Sequence, residues 1–147
     1  MKKRKKKMKN PVEANHKKID LAARIKETAD GLFYMSETDA EILPFSGKKA
    51  ETVSSAELLN QIEGKKDSHI EEKDFTEFFA RLTEIQDWFG DEERAAAQKF
   101  DTLKNLLQNN LRDLKVFKIG EIQIDIYVVG LDAENTLTGI QTKAVET

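Results

Sequence analysis

The sequence has no cysteine, only two prolines and two histidines, and no long apolar run. Without cysteine, a disulfide scaffold, a thiol nucleophile and a thiolate-bound zinc or iron–sulfur site are excluded. His16 and His69 are too few for a histidine-rich metal centre. No stretch approaches the ~18 apolar residues of a membrane span, and the charged start lacks the apolar core of a secretory signal. We therefore expect a soluble, cytoplasmic protein that has no membrane partner.

The charge is unevenly distributed along the chain. The formal net charge is −3, but residues 1–18 hold nine basic groups and one acidic group, which leaves residues 19–147 at −11. A block of like charges with few apolar residues cannot offset its ordering entropy. The pattern predicts a disordered lysine-rich tail over residues 1–15 and one folded domain over residues 16–147. The tail suits a solvated extension, a weakly binding nucleic-acid arm or, in a eukaryote, a nuclear-localisation signal.

The remainder of the chain predicts helices combined with a small sheet. Apolar residues recur at spacings of three and four in four segments, which predicts helices over residues 16–29, 54–62, 74–82 and 91–111. Short apolar or alternating segments predict strands over residues 32–35, 42–45, 115–118, 121–129 and 137–145. Loops or turns are predicted at residues 36–39, 47–49 and 85–90. This order indicates a layered α+β or α/β/α domain.

The sequence contains few candidates for catalysis. Carboxylates are grouped at residues 71–74 and 91–93, as in some glycosidases and metal hydrolases. Acidic residues at helix starts are also expected because they complement the helix dipole, and this interpretation is favoured. Asp125 and Tyr127 share one face of a predicted strand, where a solvent-facing or interface surface is favoured over an acid–base pair. No phosphate-binding loop, nucleophile elbow or zinc-protease motif is present. We therefore predict a binding protein without a cofactor rather than an enzyme.

Two local features suit a binding surface. The only tryptophan, Trp88, lies in a predicted turn beside Gln86 and Asp87. Tryptophan is enriched at interface hot spots, although this side chain is equally compatible with a core position. The sequence ends at Thr147 directly after a predicted strand, and its carboxylate and hydroxyl are hard ligands that suit Mg²⁺. The plainer interpretation of that end is that the domain stops there.

Four segments, in order, resemble the nuclease A inhibitor family across residues 16–147: GLFYMSE at 31–37, QDWF at 86–89, KIGE with the following strand at 118–130, and TGIQTKAVET at 138–147. The resemblance implies a three-layer α/β/α sandwich of the PR-1-like type, with a small mixed four-stranded sheet and helices on both faces. It also implies a protein inhibitor that forms a 1:1 complex with a sugar-non-specific, Mg²⁺-dependent nuclease of the ββα-metal class. The implied nuclease-binding residues are Glu37, Gln86, Asp87, Trp88 and Thr147, of which Thr147 reaches the catalytic Mg²⁺ of the nuclease.

The leading hypothesis is therefore an inhibitor whose acidic surface occludes a nuclease cleft. A nuclease cleft is basic because its substrate is a polyanion, and a domain at −11 is attracted to it. One alternative is a nucleic-acid-associated protein that binds through the basic N-terminal arm. Another is a relative that has lost inhibition and binds a different basic partner.

Overall fold

The computed structural model of the chain describes residues 21–62 and 69–147, and the predicted disordered tail over residues 1–15 lies outside them. Residues 21–29 are helical and are called α1. The other helices are α2 (Ser55–Gln61), α3 (Phe75–Thr83) and α4 (Asp91–Asn110). The strands are β1 (Phe33–Met35), β2 (Asp39–Glu41), β3 (Leu43–Lys49), β4 (Ile70–Lys73), β5 (Arg112–Ile119), β6 (Gln123–Leu131) and β7 (Thr136–Val145). None of the described helices combines the length and apolarity that crossing a membrane requires.

The main sheet has five strands in the order β3-β7-β6-β5-β4, and every neighbouring pair is antiparallel. Strands β1 and β2 form a separate antiparallel hairpin. The expected mixed four-stranded sheet is therefore wrong. Strands β5, β6 and β7 are joined by turns at residues 120–122 and 132–135, and such short connections permit only antiparallel neighbours. Gly120 has a φ of 113°, which a residue with a side chain rarely adopts.

The helices cover the two faces of the sheet unequally. One apolar cluster joins α1, α3 and α4 to side chains of β5, β6 and β7 that include Ile126 and Val128. Of the described helices, only α2 lies on the other face, where it packs through Leu58 against a cluster that includes Phe117 and Val129. Within residues 21–62 and 69–147, the predicted three-layer sandwich is thus corrected to a five-stranded antiparallel sheet, with three helices on one face and one short helix on the other.

Two local expectations also change. Tyr127 is buried, and its ring packs edge-on against Phe45 at 5.3 Å, so it does not face solvent. Asp125 lies on the same strand and accepts a hydrogen bond from Lys143 at 2.9 Å. The turn predicted over residues 47–49 belongs to β3, where the register with β7 shifts between Ser46 and Lys49.

Most of the grouped carboxylates serve the helix starts, as predicted. The Asp74 side chain accepts a hydrogen bond from the Glu77 backbone N–H at 3.0 Å and caps α3. Glu93 accepts a hydrogen bond from the Gly90 N–H at 2.9 Å, where α4 begins. Residues 71 and 72 instead lie on β4, an edge strand of the main sheet. The helix dipole and the capping bonds therefore account for Asp74 and for residues 91–93, but not for residues 71 and 72.

Candidate functional site

The β1–β2 hairpin covers the last part of β7. Strand β3 pairs with β7 from Thr136 to Gln141, and beyond that point the hairpin takes its place. The Thr142 hydroxyl donates to the Glu41 carbonyl at 2.8 Å. The Val145 N–H donates to the Ser36 hydroxyl oxygen at 3.0 Å. The turn between β1 and β2 is therefore fixed beside the end of β7.

The same turn holds the last residue of the chain. The Thr147 N–H donates to Glu37 Oε2 at 2.7 Å, and the Thr147 hydroxyl lies 3.0 Å and 2.8 Å from the two Glu37 carboxylate oxygens. The Glu37 N–H donates in turn to the Val145 carbonyl at 3.3 Å. We call this arrangement, formed by Ser36, Glu37 and residues 145–147, the C-terminal clamp. It brings together two site residues that the sequence places 110 positions apart.

The clamp carries a negative charge at neutral pH. The Thr147 backbone N–H, followed by its hydroxyl, lowers the pKa of Glu37 below the usual value of 4.5, because both hydrogen bonds favour the ionised carboxylate. The Glu37 side chain is exposed to solvent. The clamp therefore presents an ionised carboxylate and a threonine hydroxyl next to each other at the surface.

The other predicted site residues lie in the connection between α3 and α4. The Phe89 N–H donates to the Gln86 carbonyl at 3.1 Å and closes a turn. Trp88 is 73% exposed and packs edge-on against Phe89, with ring centroids 4.7 Å apart. Asp87 is exposed as well. Trp88 thus does not fold back onto the core, and residues 84–90, here called the Trp88 turn, form an exposed surface.

The clamp and the Trp88 turn are linked through α3 rather than by direct contact. Within the described residues, no hydrogen bond or ion pair joins Gln86, Asp87 or Trp88 to the clamp. Phe78 of α3 stacks on Tyr34 of β1, with ring centroids 5.7 Å apart and planes 4° from parallel. Since β1 leads into the clamp and α3 leads into the Trp88 turn, this ring stack sets the spacing of the two surfaces.

Sequence reasoning missed the residues that support the clamp from its other side. Lys118 of β5 lies 3.6 Å from the Glu146 carboxylate, and its side chain is only 17% exposed. The Glu146 N–H donates to the Ile122 carbonyl at 2.9 Å. No local pattern marks these residues, because their proximity depends on the antiparallel register of β5, β6 and β7. The available signals were the predicted β5–β6 hairpin and the two family-like segments that contain Lys118 and Glu146.

Comparison with known protein families matches residues 19–147 to nuclease A inhibitor-like proteins. No protein of curated function matches the chain. The matched range contains the clamp, the Trp88 turn and the seven strands of the described residues. Membership of an inhibitor family indicates nuclease inhibition rather than catalysis, with a nuclease as the partner. Because the match extends over far more than half of its length, this chain belongs to the nuclease A inhibitor-like family.

Proposed function

We propose that this chain inhibits a Mg²⁺-dependent, sugar-non-specific DNA/RNA nuclease of the ββα-metal class by occluding its active-site cleft in a 1:1 complex. The observation that carries the proposal is the Glu37 carboxylate, which holds both the N–H and the hydroxyl of Thr147. The last residue is thereby fixed beside an ionised group.

Preorganisation supports a plug-like role for Thr147. Here residues 145–147 are held by Ser36 and Glu37 on one side and by Ile122 and Lys118 on the other. A segment that is already ordered loses less conformational entropy on binding. The clamp can therefore enter a cleft without first having to order its tip.

The chemistry of the tip suits a divalent cation in the partner. A hydroxyl has one donor and two acceptor lone pairs. Because the Thr147 hydroxyl donates to Glu37, its lone pairs stay available to a cation. Hydroxyl and carboxylate oxygens are the ligands that Mg²⁺ prefers. We infer that Thr147 contacts the metal of the nuclease, which displaces water or the scissile phosphate.

The Trp88 turn supplies a second contact in this proposal. Trp88 offers a large exposed apolar surface, and Gln86 and Asp87 offer polar groups beside it. A tryptophan surrounded by polar contacts is a common form of interface hot spot. Residues 19–147 carry a formal charge of −11, which attracts the whole surface towards a basic cleft.

The test is a DNA-degradation assay with a purified Mg²⁺-dependent ββα-metal nuclease. The nuclease is titrated with the intact chain, with a chain that lacks Thr147, and with a chain that carries one glycine after Thr147. We expect stoichiometric inhibition by the intact chain and inhibition weakened roughly tenfold or more by either change at the tip. No inhibition by the intact chain would contradict the proposed function. Equal inhibition by all three would contradict the metal contact alone.

A matched pair of substitutions separates the Thr147 hydroxyl from general effects of threonine. Thr147→Val removes the hydroxyl but keeps the backbone N–H that binds Glu37. Thr102→Val removes an exposed hydroxyl on α4 that donates only to the Gln98 carbonyl at 3.1 Å. We expect weaker inhibition from the first variant and unchanged inhibition from the second.

The basic tail favours a second candidate function, nucleic-acid binding through the N-terminal arm. Residues 1–18 carry a formal charge of +8, and contacts to phosphates weaken steeply as salt rises. This function predicts a gel shift of DNA at low salt that disappears when residues 1–15 are deleted. A shift that survives the deletion would contradict it.

A further inference from the structure

A groove of about 180 Å³ lies beside the clamp, between β1, α3 and β5. We call it the Tyr34 groove; its lining includes Tyr34, Phe78, Arg81 and Lys118. Lys118 also pairs with Glu146 of the clamp, and Tyr34 stacks on Phe78 of α3. The groove therefore lies where the clamp meets the helix that carries the Trp88 turn.

Three cations from three elements meet in this groove, although the surrounding domain is strongly acidic. Lys118 of β5 pairs with Glu146 at 3.6 Å, and Lys73 of β4 pairs with Glu71 at 3.7 Å. Arg81 of α3 differs from both lysines, because within residues 21–62 and 69–147 it forms no ion pair. Arg81 is thus an exposed guanidinium whose charge is left for an external anion.

The two carboxylates that also line the groove do not neutralise Arg81. Asp74 accepts the Glu77 N–H at 3.0 Å and caps the start of α3, so its charge faces the helix dipole. Glu77 is exposed and lies one helical turn before Arg81. Among the ion pairs of the described residues, none joins Glu77 to Arg81. An anion that enters the groove replaces no existing ion pair of Arg81.

Tyr34 adds a neutral hydrogen-bond donor to the same groove. Burial raises the pKa of the Tyr34 phenol, and the nearby Glu146 carboxylate raises it further, whereas Arg81 acts in the opposite direction. The phenol therefore stays protonated at neutral pH. A guanidinium donates through a planar fork that fits the two oxygens of a carboxylate, and a phenol O–H supplies one more bond.

We propose that the Tyr34 groove receives an aspartate or glutamate side chain of the partner nuclease, bound by the Arg81 guanidinium and the Tyr34 hydroxyl. This inference rests on the proposed function, because the groove adjoins the clamp that enters the cleft. It adds a specificity determinant: the partner needs an acidic group at the rim of its basic cleft. General attraction between opposite charges does not predict such a contact.

The sign of one substitution distinguishes this contact from general attraction. Arg81→Glu makes the domain more acidic, so attraction to a basic cleft alone predicts tighter inhibition. A carboxylate in the groove predicts inhibition weakened at least roughly tenfold, since like charges then meet. Arg81→Lys keeps the charge but loses the fork, and we expect an intermediate loss. Unchanged or tighter inhibition by Arg81→Glu would overturn the proposal.

Lys48→Glu is the matched control for net charge. Lys48 is exposed on β3 near the start of β7, whereas the clamp lies at the end of β7. Its side chain forms no ion pair among the described residues. We expect this variant to inhibit as well as the original chain or slightly better. A loss equal to that of Arg81→Glu would show that the effect is not specific to the Tyr34 groove and would overturn the groove contact.

A second measurement does not depend on the nuclease. The free chain is titrated with sodium acetate, against sodium chloride at equal ionic strength, while the side-chain N–H signals of arginine are followed by NMR. We expect acetate to shift Arg81 more than Arg94, whose Nε–H already donates to the Phe89 carbonyl at 3.4 Å. Equal shifts would overturn the carboxylate site. A selective shift in a chain that fails to inhibit would contradict the proposed function and leave the site standing.

Discussion

At the scale of single residues, the acid behaviour of Glu37 reports directly on the clamp. The Thr147 N–H, and secondly its hydroxyl, lower the pKa of Glu37, so the ionised form is the bound form. The stabilisation from this contact is complete above the unfolded value of 4.5 and is lost as the pH falls through the lower folded pKa. We expect the Thr147 amide shift, followed by NMR from acid to neutral pH, to titrate below 4.5.

Thr147→Val supplies the comparison for that titration. The variant keeps the backbone N–H, which is the larger cause of the lowered pKa, and loses only the hydroxyl. Its amide should therefore titrate between the value of the original chain and 4.5. An amide that titrates at or above 4.5 in the original chain would mean that the clamp is open in solution.

Substitution of Trp88 tests nuclease binding without a large change in the free energy of unfolding. Its side chain is 73% exposed, so Trp88→Ala should leave the free energy of unfolding nearly unchanged. If Trp88 anchors the complex, the same change weakens nuclease binding by about 2 kcal/mol or more. Leu43→Ala, on a residue that is 47% exposed on β3, should change neither quantity. Calorimetric titration and urea unfolding measure the two effects, and equal binding by Trp88→Ala would contradict an anchoring role.

At the scale of elements, α3 supports both candidate surfaces through its core side chains. Phe79 is fully buried and contacts the rings of Phe75 and Phe78, of which Phe78 stacks on Tyr34. We expect Phe79→Ala to lower the free energy of unfolding by roughly 3–5 kcal/mol, because it leaves a large cavity. Thr76→Ala, at an exposed position of the same helix, should stay within about 0.5 kcal/mol. Urea unfolding at 25 °C compares them, and a small loss for Phe79→Ala would show that α3 is dispensable for stability.

The long periodic elements could be predicted from the sequence, whereas the short edge strands could not. Helix α4 begins at Asp91, as predicted. It could be recognised in the sequence because apolar residues share one face over about five turns. Strand β6 lies two residues later than predicted, since its pairing with β5 and β7 continues to Leu131. Strand β4 has the sequence IEEK and β2 has DAE, which carry almost no apolar signal. Pairing with a neighbouring strand, rather than local preference, makes these segments extended.

The identity of the candidate site residues could be predicted from the sequence, whereas the contacts between them could not. The resemblance pointed to Glu37 and Thr147 separately, whereas their contact depends on how the β1–β2 hairpin packs against β7. Arg81 belongs to none of the segments that carry the resemblance, and Lys118 belongs to one of them without any role implied there, because both approach the clamp from different elements. The mixed sheet came from the resemblance alone, and the short turns of this chain overrule it.

At the scale of the whole molecule, the basic tail opposes the proposed attraction to a nuclease. Residues 1–15 carry a formal charge of +6, so their deletion changes the net charge from −3 to −9. Since the proposed partner has a basic cleft, we expect the deletion to raise the association rate at low salt. The gain should shrink as the Debye length falls from about 10 Å at 0.1 M to about 3 Å at 1 M salt. Stopped-flow mixing with the nuclease over this range of salt measures both effects.

The control for this deletion replaces residues 1–15 with a glycine–serine segment of equal length. It removes the charge but keeps the bulk, so it should associate as fast as the shortened chain if charge is the cause. A basic tail that instead speeds association would mean that it contacts the nuclease directly. In that outcome the acidic domain and the basic tail bind different parts of the nuclease, and the tail becomes part of the inhibitor.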